Sequence, residues 1–125
     1  MKTSRIAVVA IIVLAGCSKI HEKREFSIDP ASYHSLEITA PLSEQKVKVT
    51  LTSDQPVNIY VLLDKDFPKG KEDFDPETLK TGLLGSQKSA KDATLDVTIP
   101  AKEKYRIVVS GANKKANVTV KIDSQ

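Results

Sequence analysis

The stretch Lys46-Val47-Lys48-Val49-Thr50-Leu51-Thr52 alternates strictly between polar and apolar side chains. Successive residues of a β-strand point to opposite faces, so this pattern describes a strand with one buried and one solvated face. The same period of two recurs on both sides of it. Leu36 and Ile38 alternate with Ser35, Glu37 and Thr39, and Val57, Ile59, Val61 and Leu63 form a further run. Leu95, Val97 and Ile99, then Tyr105, Ile107 and Val109, then Val118, Val120 and Ile122 complete the set. β-branched residues dominate these inward positions, as suits a pleated and half-buried surface. Turn-forming segments separate the runs: Ala40-Pro41, Ser53-Asp54-Gln55-Pro56, Pro100-Ala101-Lys102-Glu103 and Gly111-Ala112-Asn113. The expectation is an all-β fold, an antiparallel β-sandwich of jelly-roll-like form with about seven or eight strands. Val49, Ile59, Val97, Ile107 and Val120 are expected deep between the sheets.

Two segments break the pattern. Asp64 to Glu77 has no period and carries Asp64, Asp66, Glu72, Asp73, Asp75 and Glu77 among Lys65, Lys69 and Lys71. It reads as one long loop. Asp75-Pro76-Glu77 has the form of a helix start, with Asp as N-cap and Pro at the first helical position, and Gly82 would end one short helix. Ser18 to Ala31 is densely charged and reads as a tether with at most a short strand at Phe26 to Ile28. As a flexible chain it would span roughly 20 Å. The domain division is therefore 1–16, 17–31 and 32–125.

The first sixteen residues decide the address. Lys2 and Arg5 precede the unbroken apolar run Ile6 to Leu14, and Ala15, Gly16 and Cys17 follow. At 1.5 Å per residue this run is far shorter than a hydrocarbon layer of roughly 30 Å, so it is a signal-peptide core and not a spanning helix. Leu14-Ala15-Gly16-Cys17 resembles the lipobox of bacterial lipoproteins. That resemblance implies a diacylglyceryl group on the Cys17 thiol, cleavage before Cys17, and attachment to a membrane by its acyl chains. It also implies outer-membrane residence where the organism has one, because Ser18 and not aspartate follows the cysteine. Cys17 is the one cysteine, so no disulfide forms within the chain. Loss of Lys2 and Arg5 lowers the formal net charge from +3 to +1. A nearly neutral domain has no general electrostatic reason to bind nucleic acid.

A second resemblance covers Tyr33 to Ile122. Tyr33-His34-Ser35-Leu36-Glu37-Ile38, Thr52-Ser53-Asp54-Gln55-Pro56-Val57-Asn58-Ile59-Tyr60 and Ala101-Lys102-Glu103-Lys104-Tyr105-Arg106-Ile107-Val108-Val109 are similar to steps in the bacterial pre-peptidase C-terminal domains and the related GOLD-like domains. The glycine usual at the last step is absent here. Such domains are mostly accessory binding or folding modules, which is what the resemblance implies.

Catalytic constellations do not emerge. Nucleophilic catalysis needs a nucleophile, a base and an orienting group. The cysteine goes to lipid, and the histidines are His21 in the tether and His34 at a strand start. Two distant histidines give no zinc site, and no cofactor is expected. Taken as a calcium loop from Asp64, the segment has Pro68 and Lys69 where an oxygen ligand and a glycine are required. A looser ion or ligand site from Asp64, Asp66, Asp73 and Asp75 competes with a solvated loop neutralised by its own lysines. The chain has no Trp to stack a sugar, which weakens a glycosidase reading. Asn117-Val118-Thr119 matches a glycan acceptor pattern but lies within an expected strand, and the lipobox resemblance implies a bacterial protein. Tyr60, Leu62 and Val108 fall on outward positions. They form either an apolar partner surface or a second small core under the long loop. Two function classes follow. The first is a non-enzymatic, membrane-anchored binding or structural module that meets another envelope protein. The second is a carrier or inhibitor that grips an ion or an enzyme through the acidic loop 64–77.

Overall fold

The computed structural model describes residues 20–67 and 83–125. Among the described residues there are six strands: β1 (His21–Ile28), β2 (Tyr33–Ile38), β3 (Gln45–Leu63), β4 (Leu83–Ile99), β5 (Tyr105–Ser110) and β6 (Ala116–Ser124). All pairings are antiparallel, in the order β1-β6-β3-β5-β2 with β4 on the free side of β3. The architecture is the expected all-β, sandwich-like one. Cys17, Asp73, Asp75 and the short helix expected before Gly82 lie outside the described residues.

The register shows how one sheet becomes two layers. The first half of β3, Val47 to Ser53, pairs with β6, whereas the second half, Asn58 to Leu63, pairs with β5. β4 follows β3 along both halves. The β3–β4 hairpin therefore belongs to both layers and turns the corner between them, as strands that switch sheets do by bulges and bends. Two irregularities make the corner. Between Thr52↔Asp92 and Val57↔Ala90, β3 carries extra residues, including Pro56, which has no N–H to offer a ladder. Between Val57↔Ala90 and Ile59↔Gln87, β4 carries one extra residue, and Ser89 there takes φ 53. Side chains fix both. Ser53 Oγ donates to Gln55 O at 2.7 Å and accepts from Gln55 N at 3.2 Å. Asp54 accepts from Asn117 N at 2.8 Å and from Asn117 Nδ2 at 3.0 Å. Asn58 Oδ1 accepts from Ser89 N at 2.8 Å. The fold back is tight enough that a Cβ on Gly85 would meet Val97 Cγ1 at 2.9 Å, so the two ends of β4 face each other across the core.

This geometry corrects two sequence expectations. Ser53-Asp54-Gln55-Pro56 is not a turn between strands but a bend within β3, and the run at Leu95–Ile99 is the last part of the long strand Leu83–Ile99; hence six strands among the described residues where seven or eight are expected. Most of the tether is also strand. His21 to Ile28 pairs with Asp123 to Ala116 along its whole length. Its alternation is hidden in sequence because Glu22 and Arg24 occupy inward-leaning, half-buried positions. They are bonded to each other there, with Arg24 Nη2 at 2.7 Å from Glu22 Oε1.

The core sits where the period of two placed it. Val49, Ile59, Ile107 and Val120 are fully buried and Val97 is 4% exposed. Of the other inward positions named above, only Leu63 and Leu95 remain half-buried. β1 and β2 lie at opposite ends of the strand order, and side chains bridge them. The rings of Phe26 and His34 stack with centroids 4.1 Å apart. Burial, and then the charge of Arg24, hold the His34 pKa below its ordinary value.

Tyr105 lies inside this core with its hydroxyl bonded to no group among the described residues. Burial, with a smaller contribution from Glu22, pushes its pKa up to about 12. An unfolded tyrosine ionises near 10. Its contribution is therefore complete below pH about 10 and is lost as the pH rises towards 12. Tyr105→Phe should raise stability at pH 7 by about 1 kcal/mol, because it removes an unsatisfied buried hydroxyl. Chemical denaturation at pH 7 and again above pH 10 should show the variant's advantage widening in alkali. An advantage that shrinks there would contradict the assignment.

Candidate functional site

The outer face of the β2–β5–β3 layer brings together residues that the sequence presented as two separate candidates. Register alone places them. Ser35, Val108 and Tyr60 form one cross-strand row, and Glu37, Arg106 and Leu62 form the next. Outward side chains in directly opposed positions touch across the strands. Tyr60, Leu62 and Val108 are neighbours as the alternation implied, but they are not an open surface. Tyr60 is 2% exposed and Leu62 and Val108 are fully buried. With Phe67 they make a second, smaller core, against which Tyr33 and Leu83 pack. Of the two readings the alternation left open, the structure shows the second small core, and the reading of an exposed partner surface is corrected.

The cover is locked by Arg106. The chain leaves β3 through a single 3-10 turn, Asp64–Asp66, in which Asp64 N donates to Lys104 O at 2.8 Å and Phe67 N donates to Asp64 O at 3.1 Å. That turn delivers the Asp64 carboxylate to Arg106, whose Nε donates to Oδ1 at 2.5 Å. Arg106 Nη1 donates to Ser35 Oγ at 3.0 Å, and Nη2 lies 3.8 Å from Glu37 Oε1. The guanidinium carbon lies 4.4 Å from the centre of the Phe67 ring, close enough for a cation–π attraction. Tyr33 meets the same ring edge-on, with centroids 6.4 Å apart. At the rim, Lys104 Nζ sits 2.9 Å from Glu37 Oε2. That hydrogen bond, and then the lysine's charge, lower the Glu37 pKa.

The loop acids read differently in this setting. Asp64 is a buried structural anion committed to Arg106, whereas Asp66 is exposed. Among the described residues no group of three or more His, Cys, Asp or Glu side chains is placed to hold a metal ion. His34 is engaged with Phe26, and His21 Nδ1 lies 2.9 Å from Asp123 Oδ1 at the start of β1. A shallow groove lined by Glu25, Phe26, Ser27, Asn117, Val118 and Thr119 opens on the outer side of β1 and β6. Glu25 is the one titratable side chain in its lining. The residues that sequence reading missed are Arg106, Phe67 and Ser35. The available signal was an arginine at an outward position beside Val108, the one apolar residue that broke the alternation of its strand.

The sandwich also has two unlike ends. At the corner end lie the β3 bend, the Ser89 bulge of β4, the β1–β2 turn and the β5–β6 loop. Exposed Lys91, Asn113, Lys114 and Lys115 stand there with exposed Asp29, Asp54 and Asp92, and the hydrogen bonds from Asn117, with a smaller contribution from Lys91, hold the Asp54 pKa below its ordinary value. The chain start, the chain end and the β2–β3 and β4–β5 loops gather at the opposite end.

This is a two-layer antiparallel sandwich whose polar clusters are structural, and similar folds are known. The chain is similar to a periplasmic lysozyme inhibitor of g-type lysozyme from Aeromonas hydrophila, with TM-score 0.54, 16% identity, and coverage of 92% of this chain and 93% of that one. Two inhibitors with matching descriptions are also similar: one from Salmonella Typhimurium (TM-score 0.45, 18% identity, 84% and 91% covered) and an Escherichia coli mutant (TM-score 0.43, 19% identity, 92% and 95% covered). At these identities the likeness is one of fold. No protein-family model matches the sequence, and no curated protein matches it at the sequence level.

Asp64→Asn should take from half-buried Arg106 its nearer counterion, leaving Glu37 at 3.8 Å, and cost about 3 kcal/mol, the lower end of what breaking a buried pair does. The exposed Asp66→Asn should change stability by less than about 0.5 kcal/mol. Chemical denaturation measures both. Melting temperature should be the same in millimolar calcium and in chelator for the unmodified protein. A calcium-dependent rise lost in both variants would instead make the pair ion ligands.

Proposed function

We propose that the chain is a lipid-anchored, non-enzymatic envelope protein whose β-sandwich binds and inhibits a peptidoglycan-cleaving enzyme of the g-type lysozyme class. The observation that carries this reading is the sandwich it shares with the Aeromonas inhibitor over 92% of its length. The site geometry is consistent with it, because the polar clusters described above lock loops to strands and leave the work to surface recognition. The Leu14-Ala15-Gly16-Cys17 sequence supports the anchor, and Ser18 supports outer-membrane residence. Of the two ends of the sandwich, the corner suits the enzyme. Glycoside hydrolases flank the scissile bond with carboxylates, and the β5–β6 loop, which exposes Lys114 and Lys115, offers complementary charge.

The test is a titration of the soluble domain, residues 18–125, against a g-type lysozyme acting on cell-wall substrate. Inhibition should saturate at one to one, and Lys114→Glu with Lys115→Glu should weaken it about tenfold, or roughly 1.4 kcal/mol. Absence of both binding and inhibition at micromolar domain would overturn the assignment of partner. The anchor is tested separately with Cys17→Ser in cells. That variant should leave the membrane fraction, and its retention there after signal cleavage would overturn the lipid attachment.

A further inference from the structure

β1 starts almost at the anchor. Ile20 is already tied to the far end of β6: its N–H donates to Ser124 Oγ at 3.0 Å and its carbonyl accepts from Ser124 N at 2.9 Å. Gln125 N then donates to Lys46 O at 2.8 Å, which joins the chain end to the start of β3. Only Ser18 and Lys19 separate Cys17 from Ile20. Fully extended, that link spans at most about 10 Å. The domain is therefore held within roughly a headgroup layer of the lipid, not the 20 Å that a tether to Ala31 would allow.

Such a short leash presses one particular end of the sandwich against the membrane. β3 lies two strand spacings from β1, roughly 10 Å sideways. The β2–β3 loop enters β3 at that same end. The loop is held in place there, since Lys102 N donates to Pro41 O at 2.8 Å and Lys102 holds φ 65. Pro41 is buried, and the next residue, Leu42, is 76% exposed. Among the described residues it is the one large apolar side chain so exposed. Exposed Lys46 and Lys102 stand beside it, with Glu44 as the nearby acid in the same loop. A lone exposed leucine is ordinary on a soluble surface. This one tips a fixed loop, at the anchored end, within reach of lipid and beside cations that can meet phosphate headgroups.

We propose that the β2–β3 loop is a second membrane contact: Leu42 enters the interfacial layer of the bilayer that carries Cys17, with Lys46 and Lys102 against its phosphates. The proposal rests on the lipid anchoring inferred above. One acyl-bearing point lets a domain swivel; a second contact fixes its orientation. The corner with Lys91, Lys114 and Lys115 then faces away from the membrane, towards whatever diffuses past.

The chain has no Trp, so one indole reports one position. Full-length lipidated protein carrying Leu42→Trp, and separately Asn113→Trp at the opposite end, is reconstituted into phosphatidylethanolamine–phosphatidylglycerol vesicles with brominated acyl chains. Both substitutions fall on exposed positions and leave the core untouched. For a side chain buried roughly 5–10 Å into the interface, the indole at 42 should emit at shorter wavelength than in the unlipidated Cys17→Ser domain and lose about half its intensity to bromine. The indole at 113 should show neither change. Equal, water-like emission from both positions in protein that floats with the vesicles would overturn the contact and leave the anchor standing. Protein that does not float at all would overturn the anchor and the contact with it.

Discussion

The structure depends on the bend of the β3–β4 hairpin. A sheet with one apolar face must cover that face, and a chain this short has few ways to do so. Here the sheet covers itself. β3 and β4 run unbroken from one layer into the other, and the kinks at Ser53–Val57 and Ser89 turn them back across their own inner face. The odd-numbered residues of β3 from Val47 to Val61 point inward on both sides of the corner, apart from the bend itself. That continuity requires the bulge residues to restore the phase of the alternation, because a net slip of one residue would turn one half inside out. The bonds from Ser53, Asp54 and Asn58 are the local means by which the phase is kept.

This dependence explains what was legible in the sequence and what was not. Strand positions and burial follow from a local period of two, so Val49, Ile59, Val97, Ile107 and Val120 could be placed in the core without knowledge of any partner strand. The corner could not be recognised, because Ser-Asp-Gln-Pro has the same composition whether it ends a strand or bends one. What decides between these is the presence of β4 alongside, a long-range fact. β1 was obscured for a related reason. His21 to Glu25 carries charge on both faces, and it is a strand because β6 offers it an open edge and Glu22 and Arg24 satisfy each other on the inward side.

The outer face of the second layer shows the same division. Alternation marked Tyr60, Leu62 and Val108 as out of place, and register makes them adjacent. Whether such residues meet solvent depends on what the chain does after Leu63. Here a single 3-10 turn returns Phe67 over them, and Arg106 binds the turn by its carboxylate. An arginine that joins Asp64, Ser35 and the Phe67 ring is a fastening, and it accounts for an acidic residue at the loop base without any ligand. Asp64 is thereby accounted for as a structural residue, and the described residues present two further features, the two ends of the sandwich. One end is tied to the chain start, and the other exposes lysines and aspartates together.

The central claim is that β3 and β4 make the two layers a single cooperative unit. Native-state hydrogen exchange on the soluble domain tests it most directly, read at Val49 in the first half of β3, Ile59 in the second, and Val97 in β4. If the account holds, these amides open only by global unfolding, with one free energy and one denaturant dependence. Separate opening energies for Val49 and Ile59, with a smaller denaturant slope for one of them, would show that the layers unfold independently and would contradict it.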